Sequence, residues 1–352
     1  MAELLLRRSP HLVFYWEREE LIVNNYLFRT KVAVKPAVME LLHYCARPRK
    51  VQQLQRAFPQ YPSRWLLPAI QDLLSWCLLE PVTKSTQELE NAMRHWDRWG
   101  LEARFFHWST RDAPYPGPEG MAERDKERLK CSPSPAAFKR YSRSARIELP
   151  PVQKDSSAKF TDVLLARRTL RDFDGSAISL LELATLLKLT WGVTGWASSN
   201  PFGRMPLKTS PSGGARHPIE VYVAVHNVQG LRQGLYHYSP DRHLLHVIRF
   251  GNVKRRAKLY CAKQWWTKDA AALFFMTAIF ERTMWRYEYS RALRTIYMEA
   301  GHLCQTFYLT ATALKLAPFC TAAIADSLIE KDLRLDGIRE SVLYVTAAGH
   351  VR

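Results

Sequence analysis

Two short stretches decide how this chain is read: Arg167-Arg168-Thr169-Leu170-Arg171 and Pro211-Ser212-Gly213-Gly214-Ala215-Arg216. The first sets three guanidiniums around one hydroxyl where a loop meets a helix. A guanidinium is a fork of N–H donors that matches two phosphate oxygens at once. The second sets adjacent glycines between a hydroxyl and a cation. Without a Cβ, such a pair lets backbone N–H groups approach a ligand that other residues would hold off. Taken singly, the first also reads as a solvated face and the second as a plain turn. Taken together, they read as two halves of a cradle for a phosphate-bearing ligand.

The flanking text carries this further. His107-Trp108-Ser109-Thr110-Arg111 precedes Ser132-Pro133, and Ile178-Ser179-Leu180-Leu181-Glu182-Leu183 follows the arginine cluster. Gly234-Leu235-Tyr236-His237-Tyr238 follows the glycine pair. Trp285-Arg286-Tyr287, Glu299-Ala300-Gly301-His302 and a closing run from Asp332-Leu333 to Gly349 complete the series. In this order the phrases resemble the SagB-type dehydrogenases, nitroreductase-like flavoproteins that oxidise azolines to azoles as ribosomally made peptides mature. The resemblance implies an α+β fold, a nitroreductase-like FMN-binding sheet covered by helices, assembled as an intertwined homodimer with the flavin at the subunit interface. It implies that Arg167, Arg168, Thr169 and Arg171 face the phosphate and ribityl side of FMN. Pro211, Ser212, Gly213, Gly214 and Ala215 would meet the cofactor through backbone, and Arg352 at the chain end matches a further phosphate cation. The loop Phe319-Cys320-Thr321-Ala322 is expected near the isoalloxazine ring, with Cys320 a small loop or core residue. The implied partners are a leader-bearing precursor peptide and other maturation enzymes.

Composition sets the outer bounds. At 352 residues the chain can bury a sizeable core. No apolar run approaches bilayer length, and the opening Met1-Ala2-Glu3-Leu4-Leu5-Leu6-Arg7-Arg8 lacks the sustained apolar stretch of an export signal. The six cysteines, Cys45, Cys77, Cys131, Cys261, Cys304 and Cys320, form no C-x-x-C pair, which argues against a zinc site and a disulfide framework. A cytoplasmic protein without bound metal is expected. The net charge of +18 divides into +7 over residues 1–150 and +11 over the rest. A spread excess without a nucleic-acid motif suits phosphate-bearing cofactors and acidic peptides, not DNA or RNA.

Along the chain, residues 1–85 read as a strand-rich three-helix unit. His11 to Trp16 and Leu21 to Phe28 form a hairpin, Pro36 starts a helix with Val38, Leu41, Leu42 and Cys45 on one face, and two further helical patterns follow. Leu78 to Val82 is a short strand. The unit resembles a winged-helix peptide-recognition domain; a helical cap without a binding role is the other reading. Residues 86–150 are a connector in which Glu119 to Lys130 is a charge run expected as a solvated helix. From 151 the oxidoreductase domain begins. Ser179-Leu180-Leu181-Glu182 is a capping box and Gly192 a helix stop. Ile219 to Val228, Ala271 to Phe280 and Ser341 to Ala347 read as strands. Arg294 to Leu316 reads as a helix apolar nearly all round, hence central and buried, with His302 a core histidine.

Azoline oxidation removes a proton and a hydride, so the protein must supply a base. Azole-forming relatives carry a Lys-Tyr pair where this chain has Arg286-Tyr287. Arginine stays protonated and cannot accept a proton. Two catalytic readings stay open: Tyr287 is the base with Arg286 as its electrostatic support, or another side chain, such as an aromatic ring, is oxidised. Two other functions also stay open, a small-molecule NAD(P)H-dependent nitroreductase and a non-catalytic peptide-binding partner.

Overall fold

The computed structural model describes residues 4–152 and 158–352, so Met1 to Glu3 of the stretch read for an export signal lie outside the described residues. The chain divides into two compact units, one ending at Ala113 and the other starting at Pro114, a boundary inside the 86–150 stretch.

In the first unit, Leu5–Arg8 is the middle strand of a small sheet between Arg49–Lys50 and Leu79–Pro81. Leu12–Glu17, Glu20–Asn25 and Thr30–Val34 form a second antiparallel sheet in which Thr30–Val34 is an edge. Helices Ala37–Tyr44, Val51–Ala57 and Ser63–Ser75 cover them. Their inward residues Leu42, Cys45, Leu54, Ile70 and Leu73 pack with Leu6, Val23 and Leu79 in one core. Between the edge strand and the helices runs an apolar groove of about 400 Å³, lined by Val34, Val38, Leu41, Trp65, Leu66 and Leu73.

The second unit is built on seven antiparallel strands in the order Ala317–Thr321, Glu340–Gly349, Ala272–Ile279, Ile219–Val225, Gly234–Ser239, Leu244–Phe250, Arg146–Glu148. Ile219–Val225 is buried at every position, as a strand covered on both faces must be. Its alternate residues serve two cores. Val221, Val223 and Val225 pack with Phe274, Met276 and helices Leu180–Trp191 and Ala292–Ala313. Tyr222 and Ala224 pack with Phe275, Phe319, Val345 and the helices Lys254–Tyr260 and Asp326–Leu333. The capping box forms as expected: Glu182 N donates to Ser179 Oγ at 3.1 Å and Ser179 N donates to Glu182 Oε2 at 2.6 Å.

The long helix differs from its expectation. Only one side of Ala292–Ala313 faces the sheet; Tyr297 and Met298 are 51% and 55% exposed, and Gly301, His302 and Gln305 continue the same exposed stripe at helical spacing. His302 is therefore a surface residue and not a core histidine. The charge run also differs. Pro118–Cys131 is a helix, but its Asp125 is 2% exposed, because that face lies against the Trp285–Tyr289 segment. Among the described residues no helix is long and apolar enough to cross a membrane.

Candidate functional site

The arginine cluster begins where the helix Phe160–Ala166 ends and the backbone turns extended at Arg167. Leu170 N donates to Pro318 O at 3.0 Å, which lays the segment along the strand Ala317–Thr321. The Arg167 guanidinium sits 5.6 Å above the Tyr308 ring, and that of Arg171 sits 5.5 Å from Phe319. Thr169 Oγ1 is 3.1 Å from the Tyr308 hydroxyl. Arg168 Nη1 is turned back onto the Leu165 and Arg167 carbonyls. At the chain end, Arg352 N donates to Asp172 O at 3.2 Å, and its exposed Nε stands 4.0 Å from Asp172 Oδ1. The arginine segment thus offers a patch of forked donors at Arg167 and Arg171, suited to a phosphate, with Arg352 at the chain end bonded to its Asp172.

Behind this patch lies Cys320. It receives a hydrogen bond from the Tyr344 hydroxyl at 2.9 Å. Its thiol is held below the ordinary cysteine range, first by the Cys304 thiol, then by Tyr308 and Tyr344, against the opposing effect of burial. Half-buried Cys320 is therefore one member of a hydrogen-bonded cluster, a setting its sequence neighbours do not reveal.

The glycine segment folds as one tight turn, Gly213–Ala215, with φ of 62° at Gly214. That angle favours glycine, and a Cβ there would also run into the Tyr287 hydroxyl and Arg286 Nη1. So the two motifs that sequence reading kept separate, the glycine pair and Trp285-Arg286-Tyr287, meet at Gly214. Arg286 Nη1 donates to Gly214 O at 3.0 Å, while its Nε and Nη2 fork onto Asp125 at 3.2 and 2.8 Å. Arg216, 7% exposed, also donates to Gly214 O at 3.0 Å. Ser212 Oγ accepts from His217 N at 2.8 Å and donates to Glu299 Oε2 at 2.6 Å, which locks the turn onto the long helix. Pro211 is exposed at its entrance.

Glu299 is 4% exposed. Burial pushes its carboxyl up to about 7, against the opposing pull of Ser212, Lys208 and Arg282. His217, with Nδ1 3.9 Å from Glu299 Oε1, is pushed down to about 3, first by burial and then by Lys208, so it is neutral. The folded chain holds the Glu299 proton to higher pH than the unfolded chain, so stability is lost as pH rises from about 4.5 to about 7. Over that window the loss is roughly 3 kcal/mol. Glu299→Gln is expected to remove it, read as the difference in urea unfolding of the cofactor-free protein at about pH 5 and about pH 8. The same pH dependence in both proteins would contradict this.

The two segments lie against different turns of the long helix. Along Ala292–Ala313 the glycine turn contacts Thr295 and Glu299, whereas the arginine segment contacts Tyr308. Glu299 and Tyr308 are nine residues apart, about 13–14 Å along the helix axis. Arg216 reads in the sequence as the cation beside the glycine pair, whereas Asp125, Glu299 and Tyr308 are given no role at the site by the sequence reading. Asp125 hid in a charge run, and Tyr308 in an apolar helix.

Comparison with known proteins places this geometry. A model described as the Nitroreductase family matches residues 164–350. A Methanocaldococcus jannaschii protein named as a nitroreductase is 34% identical over 189 residues, 54% of this chain and 89% of the relative. The trifolitoxin-processing protein TfxB of Rhizobium leguminosarum bv. trifolii is 32% identical over 170 residues, 47% of this chain and 46% of its own. The microcin B17-processing protein McbC of Escherichia coli is 30% identical over 178 residues, 49% and 63% of the two chains. This chain thus spans about half of TfxB and under two thirds of McbC. Among solved structures, a nitroreductase of Anabaena variabilis superposes with a TM-score of 0.51 at 27% identity, covering 61% of this chain and 44% of that one. The helix Pro118–Cys131 and the unit ending at Ala113 precede the family match.

Proposed function

This chain belongs to the nitroreductase family, and from that premise we propose that it is an FMN-dependent oxidoreductase that oxidises a residue of a ribosomally made peptide. The observation that carries the cofactor reading is the extended segment that holds the forked cations Arg167 and Arg171 on either side of Thr169, with Arg168 in the same segment and Arg352 bonded to it at Asp172. At the glycine turn, the lack of a Cβ on Gly214 lets Tyr287 and Arg286 lie against the backbone that would approach the cofactor. The arginines would hold the phosphate, and Pro211, Ser212, Gly213, Gly214 and Ala215 would approach by backbone. When bound, FMN supplies a hydride acceptor. The residues of the chain bind, orient and move the proton. Tyr287, its hydroxyl against the turn, is the proton acceptor; Arg286 spends its donors on Asp125 and Gly214 and serves to hold the turn.

The peptide assignment is supported by TfxB and McbC, whose names describe processing of peptide products. The test is incubation of the flavin-loaded protein with a leader-bearing precursor peptide. The expected product has lost two hydrogens by mass, and an unchanged peptide that the flavin never oxidises would overturn the assignment. The archaeal relative favours a second reading, NAD(P)H-driven reduction of small molecules; rapid bleaching of the flavin by NAD(P)H would select it.

The reading includes a homodimer with each site shared between copies, supported by the separation of the two segments along Ala292–Ala313 and by the exposed stripe of Tyr297 and Met298 on that helix. An Arg167→Ala/Arg171→Ala chain and a Gly214→Val chain should each fail to bind FMN. Refolded together, they should regain a fraction of the sites, because mixed dimers would carry one intact site. No recovery on mixing would place each site within a single chain.

The first unit is assigned leader binding. Thr30–Val34 offers the free backbone groups of an edge strand beside the apolar groove, the arrangement that captures an extended peptide as an added strand. Trp65, 67% exposed at the groove, is the main apolar contact available. Trp65→Ala is expected to raise the KM of a leader-bearing peptide about tenfold and leave kcat unchanged. An equal effect on a leaderless peptide would contradict leader capture.

A further inference from the structure

The helix Pro118–Cys131, which precedes the family match, fastens itself to the Trp285–Tyr289 segment through residues on one of its faces. Arg124 Nη1 donates to the Tyr289 hydroxyl at 2.5 Å, and Arg128 Nη1 donates to Trp285 O at 2.7 Å and also to Arg286 O. Between them, buried Asp125 accepts the two-pronged bond from Arg286.

The charges around this bond are unbalanced. Arg286 and Arg216 both donate to Gly214 O, and both guanidiniums lie over the Phe202 ring, at 4.9 and 4.4 Å. Among the described residues the other hydrogen-bond partners of Arg216 are the Ser134 hydroxyl and the Met205 sulfur, both neutral. Asp125 is thus the carboxylate that answers two cations crowded onto one carbonyl oxygen. Burial, and then Arg286, hold the Arg216 guanidinium below its usual range, whereas Asp125 supports it.

We propose that Asp125 is the positioning residue of this site: by neutralising Arg286 it lets two guanidiniums share the Gly214 carbonyl, and so fixes the glycine turn and the Tyr287 hydroxyl against it. The role in cofactor binding rests on the function proposed above, whereas the clamp itself does not. The proposal predicts an asymmetry that a simple ion pair would not show. Without Asp125 the buried Arg216 and the half-buried Arg286 face each other with no carboxylate between them, whereas without Arg286 the carboxylate still has Arg216 beside it.

The experiment compares Asp125→Asn, Arg286→Gln and the double variant, using full-length protein and FMN as probe. Asp125→Asn should weaken FMN binding about 100-fold. Arg286→Gln should weaken it less than about tenfold, and the double variant should recover to near the Arg286→Gln value. The thermal midpoints of the cofactor-free proteins should follow the same order. In the loaded proteins, the flavin reduction potential should rise in Asp125→Asn, which gains a net positive charge at the turn, and return in the double variant. A residue that only supported the fold would leave the potential unmoved. Additive losses, or Arg286→Gln as damaging as Asp125→Asn, would overturn the clamp. A wild-type protein that binds no FMN would overturn the cofactor reading instead, and the order of the cofactor-free midpoints would still decide the clamp.

Discussion

Replacing Arg167 and Arg171 together with alanine is expected to strip FMN from the protein, with a loss in affinity of about 10²–10⁴-fold. A hydrogen bond to a charged group contributes about 1.5–3 kcal/mol, and two such losses give that range. Both guanidiniums rest on aromatic faces, Arg167 on Tyr308 and Arg171 on Phe319, and the ion pairs seen among the described residues include neither. The fold should therefore survive, and circular dichroism of the variant should match the parent. Arg168→Ala should cost less, because Arg168 Nη1 already donates to two local carbonyls. Flavin fluorescence titration measures all three. Unchanged affinity in the double variant would mean that the phosphate is held elsewhere.

Tyr287→Phe is expected to lower turnover of the peptide by about 10²–10⁴-fold, the usual cost of removing a positioned general base, while FMN stays bound. The substitution removes one oxygen. The ring stays, as does the backbone bond from Tyr287 N to Thr283 O at 2.9 Å. Arg286 remains over the ring face at 5.5 Å. Single-turnover reduction of the flavin by peptide separates this loss from any change in binding. Near-normal oxidation by Tyr287→Phe would show that the segment is structural and that the base lies elsewhere.

Much of the second unit was legible because its signals are local. Ser179 and Glu182 declare a helix start by themselves; the alternation that begins at Ile219 reads as a strand, and the aromatics and length of the apolar run at 272–279 favour a strand over a buried helix, as the fold has them. The strands Gly234–Ser239 and Leu244–Phe250 gave no such signal. Their His237 and His246 are buried by cross-strand pairing, which no local pattern announces. The long helix was misread for a related reason. Tyr297 and Met298 are apolar yet exposed in a single chain, and composition cannot say whether a sheet or a second copy covers a given face.

The site divides in the same way. The arginines and glycines could be read because residue type limits what they can do: forked donors at 167–171 and a positive φ at Gly214. Asp125 could not. It stands 161 residues from Arg286, inside a run of alternating charges that reads as solvent-facing, and only the packed fold removes it from water. Glu299 sits in a phrase that carried the resemblance, but its raised proton affinity comes from burial beneath the glycine turn. Such effects belong to tertiary contacts.

The measurement that tests the central claim most directly is the flavin content of the purified, full-length protein. The account predicts a yellow protein that releases FMN on denaturation, close to one equivalent per chain. It predicts that the same protein carrying Arg167→Ala and Arg171→Ala is colourless. A colourless parent protein that takes up no added FMN would contradict the cradle and the redox chemistry built on it.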